Sequence, residues 1–225
     1  MTLRPRMRAV SLLAARLTAA AAGLVVAAIP FALLLLRVLQ HGRLAGVDAR
    51  IAGRLNRLAY QSPRASHFAH VFTDLGHWMV LSTAVAGIAI CLVVVRRRRD
   101  AIFLVTTAVT GVLVDSVLKK VVVRARSAFA APVASGLDKS FPSGHAMNSA
   151  FVYGALLLIV LPVLRPHARI VAVIGTAVFV IAICASRVAL GLHYISDVIG
   201  GASFGIAWLA ASVWAFSGWR RESAV

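Results

Sequence analysis

Six long apolar stretches constrain this chain more than any other feature. They run approximately over residues 17–36, 78–95, 101–118, 146–164, 170–190 and 195–216. A helix needs about 20 mostly apolar residues to cross a bilayer, and in lipid only helices and closed barrels satisfy all of their backbone hydrogen bonds. The sequence therefore predicts an all-α polytopic membrane protein. Its six transmembrane helices form one domain over residues 17–216, between an N-terminal segment 1–16 and a C-terminal tail 217–225.

The composition argues against a soluble protein. Only 14% of the 225 residues are charged and 60% are hydrophobic, whereas about a quarter of the residues in a soluble domain are charged. The formal net charge of +17 is typical of nucleic-acid binders, but such domains do not devote most of their length to apolar runs. We therefore expect the bilayer, and no nucleic acid, as a partner.

The distribution of arginines predicts the orientation in the membrane. Basic residues in short loops are retained on the cytoplasmic side. With the N-terminus inside, this side collects most of the arginines near span ends: Arg4, Arg6, Arg8, Arg96, Arg97, Arg98, Arg99, Arg165, Arg169, Arg220 and Arg221. The first apolar stretch is longer than the core of a signal peptide, so we expect an uncleaved span. Arginine greatly outnumbers lysine, a bias typical of GC-rich bacterial genomes. These features predict a bacterial plasma-membrane protein with both termini in the cytoplasm.

The loop before the second span contains an amphipathic pattern. Four apolar residues recur at helical spacing: Val47, Ile51, Leu55 and Leu58. Three arginines occupy a different face: Arg50, Arg54 and Arg57. This pattern predicts an extracytoplasmic helix lying in the membrane interface. Its arginines either hold anionic headgroups or form a simple solvated face.

Further along the same loop, four potential metal ligands share one side of a helix: His67, His70, Asp74 and His77. Metal-binding helices use such spacing, which keeps a metal site open as an alternative. Our expectation is nevertheless a protein without metal or cofactor, and the role of these histidines stays open.

Three polar segments lie at the outer ends of the spans. The first closes span three and contains a run of cations after Asp115: Lys119, Lys120, Arg124 and Arg126. Asp115 lies one turn before Lys119, so the two can pair, either to aim the lysine at a site or as a structural ion pair. The predicted topology places this segment on the same face as the next two.

The second segment, residues 141–145 with the sequence Phe-Pro-Ser-Gly-His, opens span four. A helix N-terminus has unpaired N–H groups that bind anions. Gly144 allows close backbone approach to a ligand, and Ser143 can cap the helix or donate a hydrogen bond to an anion.

The third segment contains Ser186, Arg187, His193 and Asp197. If the chain is helical there, the spacing of four stacks the Asp197 carboxylate beside the His193 imidazole. The carboxylate then orients the ring and leaves one nitrogen for attack.

Together, these segments resemble the signature of the type 2 phosphatidic acid phosphatase family, whose other branches include glucose-6-phosphatase and vanadium haloperoxidases. That signature is Lys, six residues, Arg-Pro; then Pro-Ser-Gly-His; then Ser-Arg, five residues, His, three residues, Asp. Lys119 and Arg126 satisfy the first spacing. Ser127 departs from it, because the family has proline there.

The resemblance implies an integral membrane phosphatase with a phosphohistidine intermediate and no metal ion. By analogy, His193 is the nucleophile, Asp197 stabilises its imidazolium, and His145 is the general acid. The phosphate would be bound by a further set of residues: Lys119, Arg126, Ser143, Gly144 and Arg187. The implied substrates are lipid phosphates such as undecaprenyl diphosphate, phosphatidylglycerol phosphate or phosphatidic acid. Little chain lies outside the spans, which favours a small headgroup and makes a polyprenyl diphosphate the leading expectation.

Two alternatives from other classes are a small transporter and a catalytically inactive scaffold. Against transport, the polar residues cluster at one surface instead of the midplane, and the two halves show no convincing repeat. Against inactivity, four central positions of the signature are intact: His145, Arg187, His193 and Asp197. No feature of the sequence indicates a homodimer.

Overall fold

The chain folds almost entirely into α-helices. The computed structural model describes residues 3–39, 44–122 and 140–222, and no strand occurs within them. Eight α-helices cover this part of the chain: α1 Leu3–Leu39, α2 Leu44–Gln61, α3 Pro63–Leu75, α4 Trp78–Val94, α5 Arg98–Val121, α6 Gly144–Val160, α7 Pro166–Ala189 and α8 Ile195–Glu222. A short 3₁₀ turn, Leu161–Val163, follows α6. The all-α prediction is confirmed.

Five segments are long and apolar enough to cross a membrane by themselves: Ala21–Leu39, Arg98–Val121, Gly144–Val163, Pro166–Ala189 and Ile195–Ser217. Helices α3 and α4, bent by 49° at their junction, together meet the same criteria and make six spans if the pair is counted as one. The second predicted span, 78–95, corresponds to α4, which has 17 residues.

The structure departs from the sequence-based boundaries at two places. The first helix begins at Leu3, so most of the segment 1–16 continues the helix of span one. Pro5 lies in the first turn of α1, where the missing N–H of proline costs no intrahelical bond. The loop before span two forms two helices, α2 and α3, instead of one.

The break between α3 and α4 has a local cause. The Gly76 N–H donates to the Thr73 carbonyl oxygen at 3.0 Å and ends α3. His77 then caps α4, and its Nδ1 accepts a hydrogen bond from the Met79 N–H at 3.4 Å. A β-carbon on Gly76 would lie 2.7 Å from Ile183 Cγ2, so the bend packs directly against α7.

Helix α6 lies at the centre of the molecule and packs closely against α8. A β-carbon on Gly205 would lie 2.5 Å from the Met147 carbonyl oxygen and 2.8 Å from Ala150 Cβ. On Gly201 it would meet the Ser143 carbonyl oxygen. Small residues of this kind allow two membrane helices to approach at backbone distance, because dispersion forces and not the hydrophobic effect hold them together in lipid.

Replacing Gly205 by alanine tests this contact. The added methyl group meets backbone atoms of α6, which cannot move aside as a flexible side chain would, so Gly205→Ala should destabilise the protein by about 1–3 kcal/mol. The thermal midpoint in detergent measures the effect. Gly175→Ala on α7 is the matched control, because a β-carbon there meets nothing within 4 Å. Equal midpoints for both variants would contradict the close packing of α6 and α8.

Candidate active site

The first turn of α8 holds the carboxylate of Asp197. Tyr194 is the N-cap residue, because its carbonyl oxygen accepts hydrogen bonds from the N–H groups of Asp197 at 3.1 Å and Val198 at 3.3 Å. In return, Asp197 Oδ2 accepts a hydrogen bond from the Tyr194 N–H at 2.9 Å, as the third residue of a capping box does. The Ser140 hydroxyl donates to the same oxygen. These donors fix the orientation of a fully buried carboxylate.

His193 precedes α8 in a tight turn, and the expectation of a helical His193–Asp197 spacing is wrong. Helix α7 ends at Ala189, and Gly191 adopts a positive φ of 70°, which glycine tolerates at no steric cost. The His193 N–H donates to the Arg187 carbonyl oxygen at 3.3 Å. The imidazole and the carboxylate still meet, because His193 Nδ1 lies 3.5 Å from Asp197 Oδ2. This distance is longer than a usual hydrogen bond, and such contacts often tighten when substrate binds.

The Ser143–Gly144 segment lies beside this turn. The Ser143 N–H donates to the Asp197 carbonyl oxygen at 3.0 Å, which joins the start of α6 to the start of α8. The buried Ser143 hydroxyl makes no cap hydrogen bond to α6 and has no partner among the described residues. Of the two sequence-based roles for Ser143, helix capping is therefore not used, and the hydroxyl remains available to a ligand.

Lys119 reaches this segment from the last turn of α5. Its Nζ lies 2.7 Å from Asp115 Oδ2, which confirms the predicted pair. A β-carbon on Gly144 would lie 2.5 Å from the Lys119 Nζ and 2.9 Å from the same carboxylate oxygen. Asp115 therefore holds the ammonium directly against the start of α6. Arg126, the other cation of this segment, lies outside the described residues, as do Arg124 and Ser127.

Arg187 lies in the last turn of α7 and is 7% exposed. Its Nη1 donates a hydrogen bond of 2.7 Å to the Thr73 hydroxyl at the end of α3. A planar guanidinium held in this way can present its remaining N–H groups to two oxygens of one anion.

His145 completes the cluster at the start of α6. It lies within electrostatic range of four basic groups: Arg187, His193, His77 and Lys119. Its ring and that of His77 are 5.8 Å apart between centroids and meet edge to face at 65°. The bend between α3 and α4 thus contributes a second histidine, His77, to the neighbourhood of His145.

The four candidate metal ligands of the loop before span two do not come together in the structure. His67 and His70 are exposed, and His77 belongs to the cap of α4. Within the described residues, no group of three or more His, Cys, Asp or Glu side chains is arranged to hold a metal ion.

Three neighbours of the cluster were not identified from the sequence: Thr73, Ser140 and Tyr194. Ser140 directly precedes the Phe-Pro-Ser-Gly-His segment, which is a weak signal in retrospect. Thr73 is a lone hydroxyl far from the three segments in sequence, and nothing in its surroundings distinguishes it. Thr73 accepts one hydrogen bond from the Arg187 guanidinium, and Ser140 donates one to the Asp197 carboxylate.

The assembled site can bind a doubly charged anion beside a histidine. The cations Lys119 and Arg187 flank the unpaired N–H groups at the start of α6, and this combination favours a phosphate. A neutral imidazole oriented by a carboxylate is a nucleophile or a base. The roles of the individual residues stay predictions.

Comparisons with known proteins match this chain to one family. The family model described as the PAP2 superfamily matches residues 100–221. The phosphatidylglycerophosphatase B of Bacillus subtilis (strain 168) is 37% identical over 114 residues, which are 49% of this chain and 55% of that protein. The match therefore spans about half the length of this curated relative.

A solved structure extends the similarity. It is described as the crystal structure of the first transmembrane PAP2 type phosphatidylglycerolphosphate phosphatase from Bacillus subtilis. The TM-score is 0.77 at 26% sequence identity, and the match covers 88% of this chain and 96% of that chain. The arrangement of helices is thus shared over nearly the whole molecule.

A methyl group at position 144 should weaken anion binding without unfolding the protein. In Gly144→Ala, the new atom would meet the Lys119 ammonium and the Asp115 carboxylate, so the ammonium has to move away from the start of α6. We expect the affinity for inorganic phosphate to fall about tenfold, roughly the loss of one charge-assisted hydrogen bond. Isothermal titration calorimetry in detergent measures this affinity. The control is Gly87→Ala, where a β-carbon meets nothing within 4 Å; identical affinities in both variants would contradict the proximity of Lys119 to Gly144.

Proposed function

Because the chain belongs to the PAP2 superfamily, we propose that it is an integral membrane phosphatase that hydrolyses the phosphate or diphosphate of a membrane lipid. One observation carries the proposal. His193, oriented by Asp197, lies with His145 and two cations where the ends of membrane-spanning helices meet. A lipid phosphate fits a site at the ends of the spans, because its anionic head lies at the membrane surface while its tail stays in the bilayer.

The name of the Bacillus subtilis relative favours one substrate. Phosphatidylglycerophosphatase B of Bacillus subtilis acts, by its name, on phosphatidylglycerol phosphate, and we place this lipid first for the present chain. Undecaprenyl diphosphate, the leading expectation from the sequence, becomes the second candidate. Phosphatidic acid is the third.

The proposed first step transfers the phosphoryl group to His193. Asp197 lies nearest to Nδ1, which assigns Nε2 as the attacking atom. A bond forms between Nε2 and phosphorus while the bond from phosphorus to the leaving oxygen breaks. His145 donates a proton to that oxygen, and the Asp197 carboxylate stabilises the positive charge on the phosphorylated imidazole.

In the second step, water displaces His193 from phosphorus. His145, now neutral, removes a proton from a water molecule, and the resulting oxygen attacks phosphorus. The bond between phosphorus and His193 Nε2 breaks, which restores the neutral imidazole and releases inorganic phosphate. Both steps pass through a transferring phosphoryl group whose charge is spread over three equatorial oxygens.

Fixed cations and N–H donors stabilise that charge in the proposed mechanism. Lys119 and Arg187, together with the predicted Arg126, neutralise the phosphate, and the Ser143 hydroxyl and Gly144 N–H donate hydrogen bonds to it. These groups supply the electrostatic stabilisation that a metal ion provides in other phosphatases. The proposal therefore includes activity in the presence of a chelator.

Replacement of the nucleophile provides the decisive test. His193→Ala should release no phosphate above background, because the variant lacks the imidazole that attacks phosphorus in the proposed mechanism. Phosphate release is measured in detergent with EDTA, from phosphatidylglycerol phosphate, undecaprenyl diphosphate and phosphatidic acid in parallel. The ranking of wild-type rates then identifies the preferred lipid.

Two controls make the result interpretable. The membrane-inserted yield and thermal midpoint of His193→Ala should equal those of the wild type, which separates lost chemistry from lost folding. His67→Ala removes an exposed histidine of α3 and should leave the rate unchanged. Wild-type rates in His193→Ala would contradict the role assigned to this residue. A wild-type protein that is inactive on all three lipids would contradict the proposed substrate class.

We further propose that the site faces the extracytoplasmic side. The opposite ends of the spans carry the arginines around the starts of α5 and α7: Arg96, Arg97, Arg98, Arg99, Arg165 and Arg169. Such clusters are retained in the cytoplasm.

Cysteine labelling tests this orientation. In a background with Cys91→Ala and Cys184→Ala, a membrane-impermeant maleimide added to intact cells should label Gln61→Cys at the end of α2 but not Arg165→Cys at the start of α7. Both native residues are exposed, and both cysteines should react once the cells are lysed. The reverse labelling pattern would place the site in the cytoplasm.

A further inference from the structure

Helix α2 contacts, through one face, the residues on both sides of the segment 190–194 that carries His193, which we call the catalytic turn. Three residues one helical turn apart form this face: Asp48, Ala52 and Asn56. Asp48 is 5% exposed and Ala52 is fully buried. Ala52 packs in a small apolar cluster with Ala146, Val188 and Val198, which belong to the three helices that carry the site. The face therefore lies over the residues that flank His193.

Asp48 provides the cap that the start of α8 cannot provide itself. Its Oδ1 accepts a hydrogen bond from the Ser196 N–H at 3.2 Å, and its Oδ2 accepts another from the Ser196 hydroxyl. Ser196 is the second residue of α8, and its N–H is among those that lack an intrahelical partner. The N-cap residue Tyr194 is not of a type that caps with its side chain. A carboxylate from a helix 148 residues away in sequence takes that place.

Asn56 binds the other end of the same turn. Its Nδ2 donates to the Ala189 carbonyl oxygen at 3.0 Å, at the C-terminus of α7, where carbonyl groups also lack intrahelical partners. Helix α2 thus holds the last residue of α7 and the first turn of α8. The five residues that connect α7 to α8, 190–194, include His193.

We propose that Asp48 is a positioning residue for the phosphatase reaction, an inference that rests on the function proposed above. It acts through Ser196, whose neighbour Asp197 orients His193. Without the carboxylate, the first turn of α8 loses a charge-assisted hydrogen bond at its positive end and frays. The Asp197 carboxylate and the His193 imidazole then spend less time in the geometry for attack, while Lys119, Gly144 and Arg187 keep their places.

Because Asp48 contacts the turn and not the phosphate-binding residues, its loss should lower kcat and leave KM nearly unchanged. In Asp48→Ala, kcat should fall by about 10- to 100-fold, the usual loss from misplacing a reacting group by about 1 Å. The KM and the affinity for inorganic phosphate should stay within about threefold, because Asp48 does not touch the phosphate cradle. Asp48→Asn keeps an acceptor for the Ser196 N–H but not the charge, and should recover most of the rate.

A second measurement does not depend on activity. Amide hydrogen exchange, followed on a peptide that covers residues 190–198, should be about tenfold faster in Asp48→Ala than in the wild type, because the turn opens more often. Peptides from the start of α6 should exchange at the wild-type rate. The control is Gly154→Ala on α6, where a β-carbon would lie 2.5 Å from Leu209 Cδ2, far from the turn; it should lower the thermal midpoint without lowering kcat.

The outcomes separate this proposal from the proposed function. Faster exchange at 190–198 together with a lower kcat and an unchanged phosphate affinity supports it. Unchanged exchange overturns it, as does a normal kcat in spite of faster exchange, or an equal loss of kcat in Gly154→Ala. If the wild type hydrolyses none of the three lipids, the proposed function fails, and the exchange measurement alone decides whether Asp48 holds the turn.

Discussion

The contact between the starts of α6 and α8 determines where the rest of the site lies. The Ser143 N–H donates to the Asp197 carbonyl oxygen, and below this bond Gly201 and Gly205 bring the two helices to backbone distance. Within lipid, helix association depends on such close packing of small residues. Because both helices begin at the same level, the positive ends of their dipoles face one region, which favours an anion there.

The neighbouring helices run in the opposite direction and contribute complementary charges. Lys119 lies in the last turn of α5 and Arg187 in the last turn of α7, where the helix dipole stabilises cations. Asp197 lies in the first turn of α8, where the dipole stabilises an anion. Each charge thus lies at the helix end that suits it, which offsets part of the cost of holding it near lipid. Lys119 and Arg187 carry like charges, whose repulsion a bound anion would reduce.

The sequence predicts the spans and the main site residues but not the residues that orient them. Length and apolarity specify a membrane helix directly, so the spans could be read without any tertiary information. The roles of His193 and Asp197 came from the family resemblance; the helical stacking considered for them does not occur, because α7 ends before His193 and Gly191 has a positive φ. Thr73 and Ser140 were missed because a single hydroxyl carries no pattern, and its partner is set by tertiary packing alone. Arg126 lies outside the described residues, and its role stays a prediction.

Helix α2 shows how one sequence can hold two patterns at once. The apolar row from Val47 to Leu58 is exposed, as contact with lipid requires, and it dominates the sequence pattern. The row of Asp48, Ala52 and Asn56 has the same spacing but reads as an ordinary polar face, and only the packing against α7 and α8 distinguishes it. Helix α2 therefore contacts α7 and α8 with one face while its apolar row stays exposed on another, so any movement of α2 also moves Asp48 and Asn56.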